Sequence, residues 1–164
     1  MTDFSSQLHS SVPKGFCAAF YKGVRPGPAG LYNRLGRFLD RGPYSHCEMI
    51  FSKGISGSAS YVDNGVRFKA IGYSSVGAWD FLPLPSELEG NAFAWMLQHE
   101  GLKYDILGNL RFATNFARDS SNKWFCSESI MAMSGFPEAY RFGPSGGATM
   151  LQHHFNTKMV HVNA

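Results

Sequence analysis

The spacing of apolar residues changes several times along the chain, and each change predicts an element. Gly15-Phe16-Cys17-Ala18-Ala19-Phe20-Tyr21 is a short apolar run that reads as a buried strand, although length alone does not separate it from a helical turn. Arg25-Pro26-Gly27-Pro28 interrupts it, and Leu31, Leu35, Phe38 and Leu39 then recur at helical spacing with Arg34, Arg37 and Arg41 off the stripe. The stripe is expected to face the core and the arginines water, a basic rim for an acidic substrate being the minority alternative.

After Arg41-Gly42-Pro43 the period falls to two. Cys47, Met49 and Phe51 point to one side of a strand, and His46, Glu48 and Ile50 to the other. Lys53 to Gly57 is a hairpin connection, Ser58 to Val62 a second strand, Asp63-Asn64-Gly65 a tight turn and Val66 to Ile71 a third strand. A fourth lies near Trp79 to Leu84, completing an antiparallel meander. Ser86 and Glu89 have capping-box spacing ahead of a helix through Phe93, Met96 and Leu97, which Gly101 stops. Lys103 to Gly108 and a link containing Phe112 and Phe116 lead to a third helix. There Cys126, Ile130 and Met133 share one face, between the turn-rich Arg118 to Asn122 and Gly135. The tail carries turns at Phe136-Pro137 and at 143–147, a short helix over 149–155 and a terminal strand at 159–162. The polar residues 1–13 are expected to be a flexible arm, and 14–164 a single domain.

Composition narrows the class. With 44% apolar and 16% charged residues among 164, the chain is globular rather than disordered. The net charge of +3 is mild and its basic residues are scattered, so no nucleic-acid partner is expected. The three cysteines, Cys17, Cys47 and Cys126, form no CxxC pair and do not read as a disulfide framework. They fit a reducing compartment or one reactive thiol. No apolar run approaches the ~18 residues of a membrane span, and the start lacks a secretory signal, so a cytoplasmic location as synthesised is expected.

Chemistry centres on Cys126. It stands in the first turn of its helix, where unpaired amides and the helix dipole favour a thiolate, and a thiolate there is a nucleophile at neutral pH. The plainer reading is a small buried residue. A nucleophilic cysteine needs a base, and of six histidines only His46 begins a strand in the middle of the sheet. Glu48, two residues on and about 6.6 Å away along the backbone, could hold the imidazole through Nδ1, with Ser58, Ser60 and Asp63 as rivals. His153-His154 with His161 is the one histidine cluster, but it lacks a helical ligand pair or a nearby cysteine, so no metal or other cofactor is expected. The glycine-rich 143–147 lacks the ending of a phosphate loop.

The order of these segments resembles a known family. His46 in a Ser-His-x-Glu strand, then Gly101-Leu102-Lys103-Tyr104-Asp105-Ile106-Leu107-Gly108, then Trp124-Phe125-Cys126-Ser127-Glu128, is similar to the circularly permuted, papain-like cysteine hydrolases of the NlpC type, including phage members. The unpermuted family has the cysteine helix before the histidine strand. The resemblance spans about 15–150. It implies an α+β permuted papain-like fold, with an antiparallel sheet of about five strands packed on the nucleophile helix. It also implies Cys126 as nucleophile, His46 as general base, Tyr104 lining the cleft, and the Cys126 amide as an oxyanion donor, with Ser127 beside it. The family's usual third polar residue lies on the next strand, where Ser58 and Ser60 match poorly, so Glu48 is taken as the third member with Ser58, Ser60 and Asp63 still open. Glu128 replaces the glycine of the Asp-Cys-Ser-Gly form.

The function so implied is cleavage of an amide bond, in a peptide of the cell-wall kind, through a thioester. Two alternatives remain at this stage: an acyltransferase or lipid-ester hydrolase with the same Cys-His pair, and a non-catalytic binding or assembly module of a phage or prophage particle. Cys47, on the opposite side of its strand from His46, is expected to matter little.

Overall fold

A computed structural model describes residues 2–23, 27–106 and 122–162. The chain runs β1 (Cys17–Tyr21), α1 (Gly27–Asp40), β2 (His46–Ile50), β3 (Ile55–Ser60), β4 (Gly65–Ala70), β5 (Trp79–Pro83), α2 (Glu89–His99), β6 (Lys103–Tyr104), β7 (Lys123–Trp124), α3 (Cys126–Met133), α4 (Pro144–Phe155) and β8 (Val160–His161). This is a mixed α and β protein. All eight strands form one sheet in the order β7-β6-β4-β3-β2-β1-β5-β8. Neighbours are antiparallel except β6 and β7, which are parallel. The expected count of about five is corrected to eight: β6 and β7 are two residues long, too short to carry a period, and the terminal strand expected at 159–162 is present as β8 and joins the sheet.

The alternation of β2 divides the core. Cys47, Met49 and Phe51 join a large cluster with Met96 of α2, Ile130, Met131 and Met133 of α3, and Ala148 and Leu151 of α4. Ile50, with Cys17, Ala19 and Phe81, belongs to a smaller cluster on the other face. Gly57 of β3 admits α2: a Cβ there would lie 2.8 Å from Met96 Cε. The N-terminal segment follows the sheet, with Phe4 packed against the large cluster and Leu8 and Val12 against the smaller one. The Phe4 amide donates to the Lys53 carbonyl (2.7 Å), the His9 amide to that of Gly72 (2.9 Å), and Val12 is buried.

α1 departs from expectation. Leu31, Leu35 and Phe38 are 72%, 43% and 77% exposed, so the apolar stripe faces outward. Among the described side chains, two polar ones tie the helix to the rest of the molecule. Arg37 Nη1 donates to the Lys22 carbonyl (3.2 Å), and Asp40 Oδ2 accepts the Ser145 amide at the start of α4 (2.6 Å). Gly42 and Gly143 make that junction possible, because a Cβ on either would collide with Ser145 or Asp40. The side chain of Leu39, the Arg25-Pro26 break, the end of the Lys103 to Gly108 segment, the link through Phe112 and Phe116 and most of the Arg118 to Asn122 turn lie outside the described residues.

Candidate active site

The β2–β3 ladder pairs Met49 with Gly57 and Ile50 with Ser56, then stops. The next antiparallel rung would join Cys47 to Ala59. That rung is open, and the polar groups it leaves are taken up by the two strands themselves and by α3. The Ala59 amide donates to Ser129 Oγ (3.2 Å), and Ser58 Oγ donates to the Cys47 carbonyl (2.7 Å). The Cys47 amide is directed at the Cys126 sulfur. Strand amides point within the plane of a sheet, so the sulfur sits in the gap between β2 and β3. From there it meets groups on both faces: the His46 imidazole on one and the Cys47 thiol on the other.

Cys126 begins α3. Phe125 precedes it in extended conformation, and Glu128 Oε2 accepts the Phe125 amide (3.3 Å), which is half of a capping box. Ser129 Oγ donates back to the Cys126 carbonyl (2.7 Å). The first-turn amides of α3 remain directed toward the nucleophile's end of the helix.

His46 Nε2 and Glu48 Oε1 are 2.7 Å apart. The expected partnership is present, but through Nε2 and not Nδ1, which leaves Nδ1 for the thiol. The edge of the Trp79 ring backs the imidazole, with centroids 6.4 Å apart. The rivals for Glu48's place are engaged elsewhere: Ser58 with the Cys47 carbonyl, Ser60 Oγ with the Asp63 amide (3.3 Å), and Asp63 with Arg67 and Lys69.

A further residue, absent from the sequence reading, completes the line. Arg67 of β4 donates from Nη1 to Glu48 Oε2 (2.7 Å) and from Nη2 to Glu48 Oε1 (2.6 Å), while its Nε donates to Asp63 Oδ2 (2.9 Å). Register explains the reach. Arg67 is directly opposite Ser58 on β3, and Ser58 falls opposite Glu48 when the β2–β3 register is continued. The three therefore share a face, and the small serine lets the arginine span it. A bidentate guanidinium holds a buried carboxylate ionised and fixed in plane.

Charge follows from these contacts. Burial would raise the Glu48 carboxyl, but the charge and hydrogen bonds of Arg67 and then His46 overcome it and bring it down to about 2. Burial would lower the His46 imidazole, but its hydrogen bonds to Cys126 and Glu48 hold it up at about 9. The Cys126 thiol lies well below its ordinary range, first through the hydrogen bond from the Cys47 thiol, then, against burial, through His46. The Cys47 thiol is pushed well up, by burial and by its hydrogen bond to Cys126. These directions favour a Cys126 thiolate beside a His46 imidazolium, with the Cys47 thiol as the donor. The expectation that Cys47 stands apart is corrected: it does point away from His46, but the face it points to is the one against which α3 packs.

Tyr104 is buried on β6, paired in register with Trp124 of β7, two residues before Cys126, and the Asp105 amide donates to the Trp124 carbonyl (2.9 Å). Ser127 is buried, and its Oγ meets no partner among the described residues. The tail histidines go separate ways. His154 packs edge-on to Phe136 and Phe155, and His161 Nδ1 lies 3.1 Å from Asp80. Among the described residues no group of three His, Cys, Asp or Glu could hold a metal ion, and no helix is long and apolar enough to cross a membrane. No model of a known protein family matches the chain, and no curated protein matches it.

Proposed function

We propose that the protein is a cysteine hydrolase of the permuted papain-like kind that cleaves an amide bond. The observation that carries this reading is the buried line Cys126–His46–Glu48–Arg67, in which a thiolate faces an imidazolium whose other nitrogen is pinned by an arginine-held carboxylate. In the proposed reaction the Cys126 thiolate adds to the scissile carbonyl carbon. The developing oxyanion is held by the Cys126 amide and by Tyr104. The tetrahedral adduct collapses, the carbon–nitrogen bond breaks, and the His46 imidazolium gives its proton to the departing amine. Neutral His46 then takes a proton from water, which attacks the thioester. The acid leaves, and the thiolate and imidazolium are restored.

The substrate class proposed is a cell-wall-type peptide, and the setting a virion or its host cell. A second reading, transfer or hydrolysis of a lipid acyl group by the same pair, draws on the outward apolar stripe of α1, whose C-terminal end meets α4 near the site.

The first test needs no substrate: the pH dependence of iodoacetamide alkylation, with the labelled cysteine identified by mass spectrometry. Fast labelling of Cys126 at pH 6, lost in His46→Ala, is expected. Cell-wall peptides and acyl esters would then be screened, with Cys126→Ser as the inactive control. Labelling of Cys126 only on unfolding would overturn the hydrolase reading in favour of a binding module.

A further inference from the structure

Cys47 is a thiol for which the hydrolytic cycle has no use, yet its sulfur lies in hydrogen-bonding contact with that of Cys126. The two come from separate elements, a strand and a helix start, and meet where the β2–β3 ladder is open. Both residues are buried, at 0% and 1% exposure, and no third cysteine competes. Cys17 lies in the core cluster on the other face of the sheet. A reactive thiolate held against a neutral thiol is the arrangement in which an oxidised sulfur can be captured before it is oxidised further.

We propose that Cys47 is a resolving thiol, and that Cys47 and Cys126 form a reversible disulfide when the protein meets a peroxide. This rests on the same Cys126 thiolate as the hydrolase reading. Hydrogen peroxide, little larger than water, is the oxidant. The thiolate attacks one peroxide oxygen, the oxygen–oxygen bond breaks, and the departing hydroxide takes the His46 proton and leaves as water, so that Cys126 is oxidised to the sulfenic acid and the peroxide reduced. The Cys47 sulfur then attacks the Cys126 sulfur. The sulfur–oxygen bond breaks, the departing hydroxide takes the Cys47 proton, and water is released as the disulfide forms. Two thiols and one peroxide thus yield one disulfide and two waters. Closing the bond requires the sulfurs to approach from contact to about 2.05 Å, a shift that the first turn of α3 and the end of β2 that is not bonded to β3 can share. The oxidised protein has no nucleophile, and a thiol reductant restores it.

The test exposes the wild-type protein to hydrogen peroxide and follows intact mass without reductant, then maps the cysteines by digestion. Loss of two hydrogens, a peptide joining Cys47 to Cys126, and full reversal by dithiothreitol are expected. Cys47→Ala should instead carry Cys126 to the sulfinic and sulfonic acids, and Cys17→Ser should behave as wild type. Addition of oxygen atoms to Cys126 in the wild type, with Cys47 left free, would overturn the proposal. Alkylation of the reduced protein, run in parallel, separates the two readings. A Cys126 that labels fast but forms no disulfide leaves the hydrolase standing without the switch, and a Cys126 that does not label removes the basis of both.

Discussion

Cys17 and Cys126 are both fully buried free thiols, one on each face of the same sheet. Cys17 sits within β1, where its neighbours are apolar and its backbone groups belong to a strand paired on both sides, and burial alone pushes its thiol up to about 12. Cys126 is equally hidden, yet its thiol is acidic, because it starts a helix, lies in an unpaired rung and meets a thiol, an amide and an imidazole. Burial is common to both residues, so burial does not decide whether a thiol is inert. What decides is whether hydrogen-bond donors and a cation stand against the sulfur: the Cys47 thiol and the His46 imidazole for Cys126, and neither for Cys17.

The comparison can be broken most forcefully at Arg67. Arg67→Met leaves Glu48 a buried carboxylate without its cation, which should cost about 3–5 kcal/mol in chemical denaturation and slow the alkylation of Cys126. Adding Glu48→Gln to that variant should recover much of the stability and none of the reactivity. Full stability in Arg67→Met would show that the pair contributes nothing to folding. His46→Ala comes next. With the imidazolium gone, Cys126 should move toward the behaviour of Cys17, and its alkylation at pH 7 should slow by roughly a hundredfold or more, since a thiol at its ordinary 9.0 is only about one per cent ionised at that pH.

A smaller effect is expected from pH. The His46 imidazole is raised from an ordinary 6.5 to about 9, so the stability it contributes is complete below pH 6.5 and is lost as the pH rises through 9. Glu48 is lowered from 4.5 to about 2, so its contribution is complete above pH 4.5 and is lost as the pH falls through 2. Thermal melting across both windows should show the two declines, and Arg67→Met should move the acid one to higher pH. Smallest of all is Cys17→Ser, which should leave the alkylation profile of Cys126 unchanged. A shift in that profile would mean that the two faces of the sheet are coupled.

The strands β1, β2 and β4, the Asn64-Gly65 turn and the helix of Cys126 could be read from the chain because each has a local pattern, whereas β3 runs from Ile55 to Ser60 and not from Ser58 to Val62, its small residues carrying little period. The His46–Glu48 contact could be read too, since residues two apart on a strand share a face. Arg67 was harder to see. Its place beside Glu48 depends on the register of β3 with β4 and on a serine small enough to reach over, although the Asp63-Asn64-Gly65 turn holds part of that information. The contact of Cys47 with Cys126 could not be read, because alternation tells which face a side chain takes and not what packs on that face. α1 shows the same limit from the other side. Its stripe has the right period for a core helix, but its attachments are the hydrogen bonds of Arg37 and Asp40, which no apolar period records.

The open rung between Cys47 and Ala59 sets a boundary on how this chain can be improved. A substitution that drew β3 onto β2 over its full length would add backbone hydrogen bonds and make a more regular sheet. It would also close the slot that Cys126 and Ser129 occupy, leaving α3 nowhere to lodge its first turn. Stabilising changes at these two strands therefore compete directly with the nucleophile for the same amides, and natural or engineered variants that retain a reactive Cys126 should keep residues at 47, 58, 59 and 129 that tolerate an incomplete ladder.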